Sequence, residues 1–170
     1  MRKTYLKESV YRSLRTAFLA ASLFFSTQII AQNLVLSSGG QTGTSGTNWS
    51  TSGTNPVTIT ATGAANINTS VITGYLNAGT SVIVVNNSAG TTVNSNITKT
   101  SGAAASLTLK DIGYIKVANS VTISSSSNAL DIILWSDHDL SQSGTVNDFI
   151  YCEIGSSFTS NGGKIVMAGG

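Results

Sequence analysis

Cysteine, proline and histidine are almost missing from this 170-residue chain, which holds one of each. The lone Cys152 excludes an internal disulfide framework and a cysteine-ligated zinc site. Its place in the apolar run Phe149-Ile-Tyr-Cys predicts a buried thiol. His138 has no second histidine at ligand spacing, which also argues against zinc. Charge is scarce too, at 9% of residues. Arginine occurs only at positions 2, 12 and 15, so from residue 16 onward Lys99, Lys110, Lys116 and Lys164 stand against six carboxylates, a net of −2. Such a balance leaves no basic patch for a nucleic-acid partner.

The basic overall charge therefore belongs to the N-terminus. Arg2, Lys3, Lys7, Arg12 and Arg15 face only Glu8 there, and an apolar stretch from Ala17 to Ala31 follows. That order of charge and hydrophobicity predicts a secretory signal peptide over residues 1–31, cleaved after Ala31. The stretch is short of the roughly 20 residues that a membrane span needs, so no transmembrane span is expected in the mature chain. The mature chain is then expected to be secreted.

What the chain has in abundance is Gly, Ser, Thr and Asn, interrupted by short β-branched runs at a fixed beat. The runs begin at Val57, Val82, Leu107 and Leu130, with steps of 25, 25 and 23 residues. The first residues form one apolar column, Val57, Val82, Leu107, Leu130 and Ile165; those two places on form another, Ile59, Val84, Leu109, Ile132 and Met167. Between them lie Thr58, Ile83, Thr108, Asp131 and Val166, the alternation of strands with one face inside and the other mostly outside. A second set keeps the beat at Ile67, Val93 and Ile115, then at Val71, Ile97 and Val121. Repeats of this length stack on their neighbours because one unit cannot bury a core alone. Asn-Gly and Asp-Gly hairpin turns are scarce, which disfavours an antiparallel sandwich. The expected fold is all-β: a right-handed parallel β-helix (β-solenoid) of about four to five short coils, the hand following the crossover rule.

Three regions follow the signal. Residues 32–55 form a Gly/Ser/Thr-rich N-terminal segment or cap, with strand-like Leu34-Val-Leu36 and Trp49 placed to close an open first coil. The repeat occupies residues 56–170. Its beat breaks at residues 135–148, read as an insertion or an extra strand.

The pattern Ser106-Leu-Thr-Leu-Lys-Asp-Ile-Gly-Tyr-Ile-Lys-Val-Ala-Asn-Ser-Val-Thr-Ile123, then Leu134-Trp-Ser-Asp-His-Asp139 and Asn161-Gly-Gly-Lys-Ile-Val-Met-Ala-Gly-Gly170, resembles the filamentous-haemagglutinin-like adhesins and related large exoproteins. The resemblance implies a right-handed parallel β-helix used for adhesion at a Gram-negative surface, and a fragment of a longer protein. No Asn-Pro-Asn-type secretion motif accompanies it.

The strongest chemical cluster is the acidic loop with Asp137, His138, Asp139, Asp148 and Glu153, and Asp131 nearby. Counting Asp137 as position 1 puts Asp139 at 3, Ser141 at 5, the Ser143 carbonyl at 7, Thr145 at 9 and Asp148 at 12, the oxygen spacing of a calcium loop. Gln142 stands where Gly makes the sharp turn, and Asp148 where a longer Glu supplies two oxygens. The expectation is Ca²⁺ held weakly, at about 10⁻⁴–10⁻³ M, or a merely solvated loop. No other cofactor is implied. Trp135 and Tyr151 flank the loop, as sugar-stacking rings or as core and edge plugs. These residues predict an exported noncatalytic surface module, and the resemblance implies one of adhesin type on a bacterial outer surface, mediating adhesion or forming a structural stalk. Its partners would be a surface glycan, a matrix protein or another copy through open coil ends. The alternative is a polysaccharide-active lyase or hydrolase that uses the acidic-loop carboxylates.

Overall fold

A computed structural model of the chain describes residues 33–88, 90–140 and 149–169. The signal segment 1–31 and the loop residues Ser141, Ser143, Thr145 and Asp148 lie outside the described residues. Strands β1 (Asn33–Ser37), β2 (Ser45–Gly46), β3 (Trp49–Ser52), β4 (Val57–Ala61) and β5 (Ala65–Asn68) lead to helix α1 (Thr69–Asn77). Then come β6 (Val82–Asn86), β7 (Gly90–Val93), β8 (Ile97–Lys99), β9 (Ala105–Asp111), β10 (Tyr114–Val117), β11 (Thr122–Ser125) and β12 (Leu130–Trp135). Strands β13 (Ile150–Cys152), β14 (Ser157–Thr159) and β15 (Ile165–Ala168) complete the order.

These strands form three sheets. One is seven-stranded, ordered β15-β12-β9-β6-β4-β3-β2; one is five-stranded, β13-β10-β7-β1-β5; one is three-stranded, β14-β11-β8. The expectation of a right-handed parallel β-helix is corrected here, along with the fold that the adhesin resemblance implied. The described chain is a mostly β fold of three sheets, parallel and mixed, with one short helix. Three findings break the uniform coil. Strand β3 pairs antiparallel with both β2 and β4. Strand β1 inserts between β5 and β7, out of chain order. Where Val71 was expected in a strand, the chain forms α1. That helix starts because the Asn68 side chain accepts a hydrogen bond from the Ser70 N–H, satisfying one of the orphan donors of the first turn. It persists because Ile72 and Leu76, four apart, bury one face, and it stops before Gly79, whose φ of 75° a β-branched residue would resist.

The 25-residue beat is the register of the seven-stranded sheet. Val57 pairs with Val82, Val82 with Leu107, Leu107 with Ile132 and Ile132 with Ile165, all parallel. Leu130 is therefore not in this column; it lies opposite Ala105, two residues out. Ile59, Val84, Leu109, Leu134 and Met167 make the second column. From Val57 to Leu134 both columns are buried in one core shared with Leu34, Leu36, Ile67, Val93, Ile97 and Ile123. Thr108 was expected on an open face, yet it is only 8% exposed, because Ile83 and Ile133 flank it on the neighbouring strands.

The inward columns end in polar residues. Ala61, Asn86 and Asp111 are in register, and the last two are fully buried. In the three-stranded sheet Lys99, alternating inward after Ile97, is also fully buried.

Candidate functional site

The outer face of the five-stranded sheet gathers aromatic and charged side chains. Strand alternation sends Tyr114 and Lys116 of β10 outward, because Ile115 and Val117 face the core. On the neighbouring strand β13, Tyr151 stands beside Lys116, and Phe149 just before it stacks on Tyr114 with ring centroids 6.1 Å apart and planes at 23°. Phe149 is 47% exposed and Tyr151 50%. The four side chains line a shallow open hollow of about 220 Å³. Gly90, next to Tyr114 in register, permits this arrangement, since a Cβ there would run into the Tyr114 ring. Gly90→Ala is expected to displace that ring at a cost of about 1–3 kcal/mol, read as a lowered melting temperature.

A polar pair borders the rings. The Lys116 ammonium lies 2.8 Å from a Glu153 carboxylate oxygen. The Asn119 N–H donates to the other oxygen at 2.9 Å. The Lys116 hydrogen bond, with help from Asn119, holds the Glu153 carboxyl below the usual carboxylate range, and the same bond raises Lys116. Both groups thus present fixed, charged hydrogen-bonding atoms at the edge of an apolar surface. A wider hollow of about 380 Å³ lies beside α1 and has Tyr75 as its one aromatic lining residue.

The acidic residues marked in the sequence are not gathered in one place. Asp131 accepts a hydrogen bond from the Lys164 N–H at 2.8 Å, and Glu153 belongs to the aromatic face. Asp137 is 3% exposed with φ at 49°, whereas Asp139 is exposed. Ser141 and Asp148, the remaining residues of the expected calcium set, lie outside the described residues. Among the described residues no group of three or more His, Cys, Asp or Glu side chains is placed to hold a metal ion. Trp135 sits on a different sheet from Tyr151; Lys110 lies over its ring at 4.8 Å and His138 meets it edge-on at 6.4 Å. The two rings that the sequence paired as sugar-stacking candidates therefore belong to separate surfaces. Cys152, expected to be buried, is exposed. It continues the inward column of Val93 and Val117, but its strand is the last of its sheet and nothing in the described chain covers it. What desolvation remains still pushes the thiol above its ordinary range.

Sequence reasoning passed over a buried polar corner. Asp111 accepts hydrogen bonds from the Thr91 hydroxyl, the Asn86 amide and the Gly113 N–H. The backbone of His138 crosses it, its N–H donating to the Asp111 carbonyl at 3.1 Å. Burial pushes the Asp111 carboxyl up to about 6, against the opposing pull of the three hydrogen bonds and of His138. A signal was present: Asn86 and Asp111 are 25 residues apart, both two places beyond an inward hydrophobe.

Among the described residues no helix is long and apolar enough to cross a membrane. Comparison with protein-family models, with curated proteins and with solved structures finds no match to this chain.

Proposed function

We infer that the chain is an exported, noncatalytic surface module of adhesin type, and that it binds a glycan on the Tyr114, Phe149 and Tyr151 face. The single observation that carries this reading is the exposed, stacked aromatic platform with the Lys116–Glu153 pair at its border. Aromatic rings left half in water on a flat sheet are costly unless something covers them, and the apolar C–H faces of a pyranose ring are a fitting cover. The sugar's hydroxyls meet Lys116 and Glu153, which offer donors and acceptors together. Because those two charges already neutralise each other and no arginine is among the described residues, a neutral glycan fits better than a uronate. Export is supported by the basic, then apolar, order of residues 1–31. The resemblance to filamentous-haemagglutinin-like adhesins agrees with adhesion rather than with a passive stalk, which has no use for an exposed platform. Asp131 and Glu153 each hold a structural bond, which favours binding over carboxylate catalysis.

Titration of the chain against hits from a glycan array tests the reading. Phe149→Ala and Tyr151→Ala are each expected to weaken binding by about tenfold or more, equivalent to about 1.4 kcal/mol per tenfold, with unchanged melting. Unaltered affinity in both variants refutes the platform. Polysaccharide turnover that disappears in Asp139→Asn refutes the noncatalytic part.

A further inference from the structure

Helix α1 buries Ile72 and Leu76, four apart, and turns two other pairs at the same spacing, Ser70 with Gly74 and Val71 with Tyr75, toward the hollow of about 380 Å³. Thr42 and Gly43, in the loop after β1, form the facing wall. That loop is fixed through Gln41. Its N–H donates to the Asn66 carbonyl and its carbonyl accepts from the Asn68 N–H, both at 2.8 Å, while its side-chain oxygen accepts from the Thr47 N–H and the Trp49 indole N–H, both at 2.9 Å. The hollow is therefore preformed. Gly74 is the residue that keeps it open. Within a helix, glycine costs more stability than any residue except proline, so its presence calls for a reason. The backbone supplies none, because the Gly74 carbonyl accepts from the Ala78 N–H at 3.1 Å in the ordinary helical way and its φ is not positive. Packing supplies none either, since a Cβ at Gly74 would meet nothing within 4 Å. Gly43, by contrast, is required by its own φ of 97°.

We propose that this hollow is a second binding site, taking one neutral saccharide unit. Its volume falls within the range of about 300–1,000 Å³ usual for small-molecule sites. The lining combines the Tyr75 ring and the Val71 methyls with the hydroxyls of Thr42, Ser70 and Tyr75. A pyranose divides in the same way, with an apolar C–H face and a rim of hydroxyls, so the ring stacks on Tyr75 while its rim meets the two walls. Gly74 leaves the room beside Tyr75 that the ring occupies. The elements around the hollow also set its charge preference: from residue 33 to residue 98 there is no Asp, Glu, Lys, Arg or His, so a uronate or an amino sugar meets no counter-charge on them. The site is distinct from the Tyr114, Phe149 and Tyr151 platform and does not depend on it. The two hollows share no lining residue, and β5, which leads into α1, lies four strands from β13 in the five-stranded sheet. Two sites on one body raise the avidity for a surface that repeats its sugars.

Titration of the isotope-labelled full-length chain with the methyl glycosides of glucose, galactose, mannose and N-acetylglucosamine, followed by amide chemical shifts, tests the proposal. The amides of Gly43 and of residues 70–75 are expected to move with at least one of the four, saturating in the millimolar range fitting for a ligand of about a dozen non-hydrogen atoms. Gly74→Leu fills the hollow and is expected to weaken this binding by about tenfold or more. Its melting temperature is expected to equal or exceed that of the parent, because leucine is the better helix former and its Cβ meets no neighbour. Phe149→Ala is expected to leave the α1 shifts as they are, and those shifts persist even if the platform binds no sugar, so the two sites fail separately. No movement at α1 with any of the four glycosides overturns the proposal, and so does binding that survives Gly74→Leu. Loss of the α1 shifts in Phe149→Ala means one site rather than two and overturns it as well. A methyl glucuronide that binds as tightly overturns the neutral class. Should Gly74→Leu not fold, Ser70→Ala at an exposed position decides: several-fold weaker binding is expected, and unchanged affinity overturns the site.

Discussion

Lys99→Ala is expected to lower the stability of the chain by about 4–5 kcal/mol, enough to leave much of it unfolded. Lys99 is fully buried, and its ammonium reaches the Ser101 carbonyl at 2.8 Å, the Gly102 carbonyl at 3.1 Å and the Ser127 hydroxyl at 3.0 Å. All three of its donors are thereby satisfied, while the Gly102 carbonyl also accepts from the Asn128 amide at 2.9 Å and the Ser101 carbonyl from the Ser127 hydroxyl at 3.3 Å. The ammonium ties the turn after β8 to the turn after β11, while its four-carbon stem fills the space beyond Ile97. Alanine removes both the charge-assisted bonds and the stem, leaving each carbonyl with only its neutral donor and a cavity beneath them. Lys99→Met separates the two losses, because it keeps most of the volume and removes only the charge-assisted bonds; it is expected to cost about 2–3 kcal/mol. Urea unfolding midpoints of the two variants check this. Equal and small losses would mean that water reaches the turn carbonyls and that the lysine is dispensable.

The lysine also marks the limit of what the amino-acid pattern conveys. Strand positions and their inward faces were legible, because Val57, Val82 and Leu107 repeat at the spacing of the parallel register, with Thr58 and Thr108 alternating outward on two of the three strands. The errors came in steps of two. Leu130 was placed where Ile132 lies, Ile115 where Val117 lies, and Val121 where Ile123 lies. A shift of two keeps the same face inward, so hydrophobic alternation alone has no power to reject it. The uniform β-helix failed for another reason. Pattern specifies which residues face inward but not which strand lies beside which, and β1 pairs on both sides with strands that follow it in the chain. A strong helix cap at Asn68 likewise overrode the β-branched pair Val71-Ile72. Of the candidate site, Tyr151 was visible as a sugar-stacking ring, but its companions were not. Tyr114 and Phe149 are 35 residues apart and meet only through the pairing of β10 with β13, across the break in the beat. Buried polar residues were invisible for another reason: Asp111 and Lys99 fall at inward strand positions, but a charged residue there carries no hydrophobic signal to mark it.

The Asp111 corner yields the second large effect, a stability that falls as pH rises between about 4 and 6. In the folded chain Asp111 keeps its proton up to about 6, against an ordinary value of 3.8. Below the ordinary value both states are protonated, and the corner makes its full contribution. Between the two values the folded state still holds a proton that the unfolded state has released, so each rise in pH favours unfolding. Above about 6 both states are ionised and the loss is complete, at about 3 kcal/mol for a shift of this size. The neutral form is the better guest here because the Thr91 hydroxyl can turn to accept from it, whereas the ionised form must rely on three donors to replace its lost water. The nearby His138 pulls the Asp111 value down only slightly, and desolvation outweighs it. Asp111→Asn places an uncharged isostere in the corner and is expected to flatten the decline between pH 4 and 6, with stability at pH 7 equal to or above that of the parent. Urea unfolding at intervals of pH, for the parent and for this variant, is the measurement. A parent whose stability rises over that window, or a variant that keeps the same slope, would place the proton on some other group and leave Asp111 ionised in its three-donor cradle.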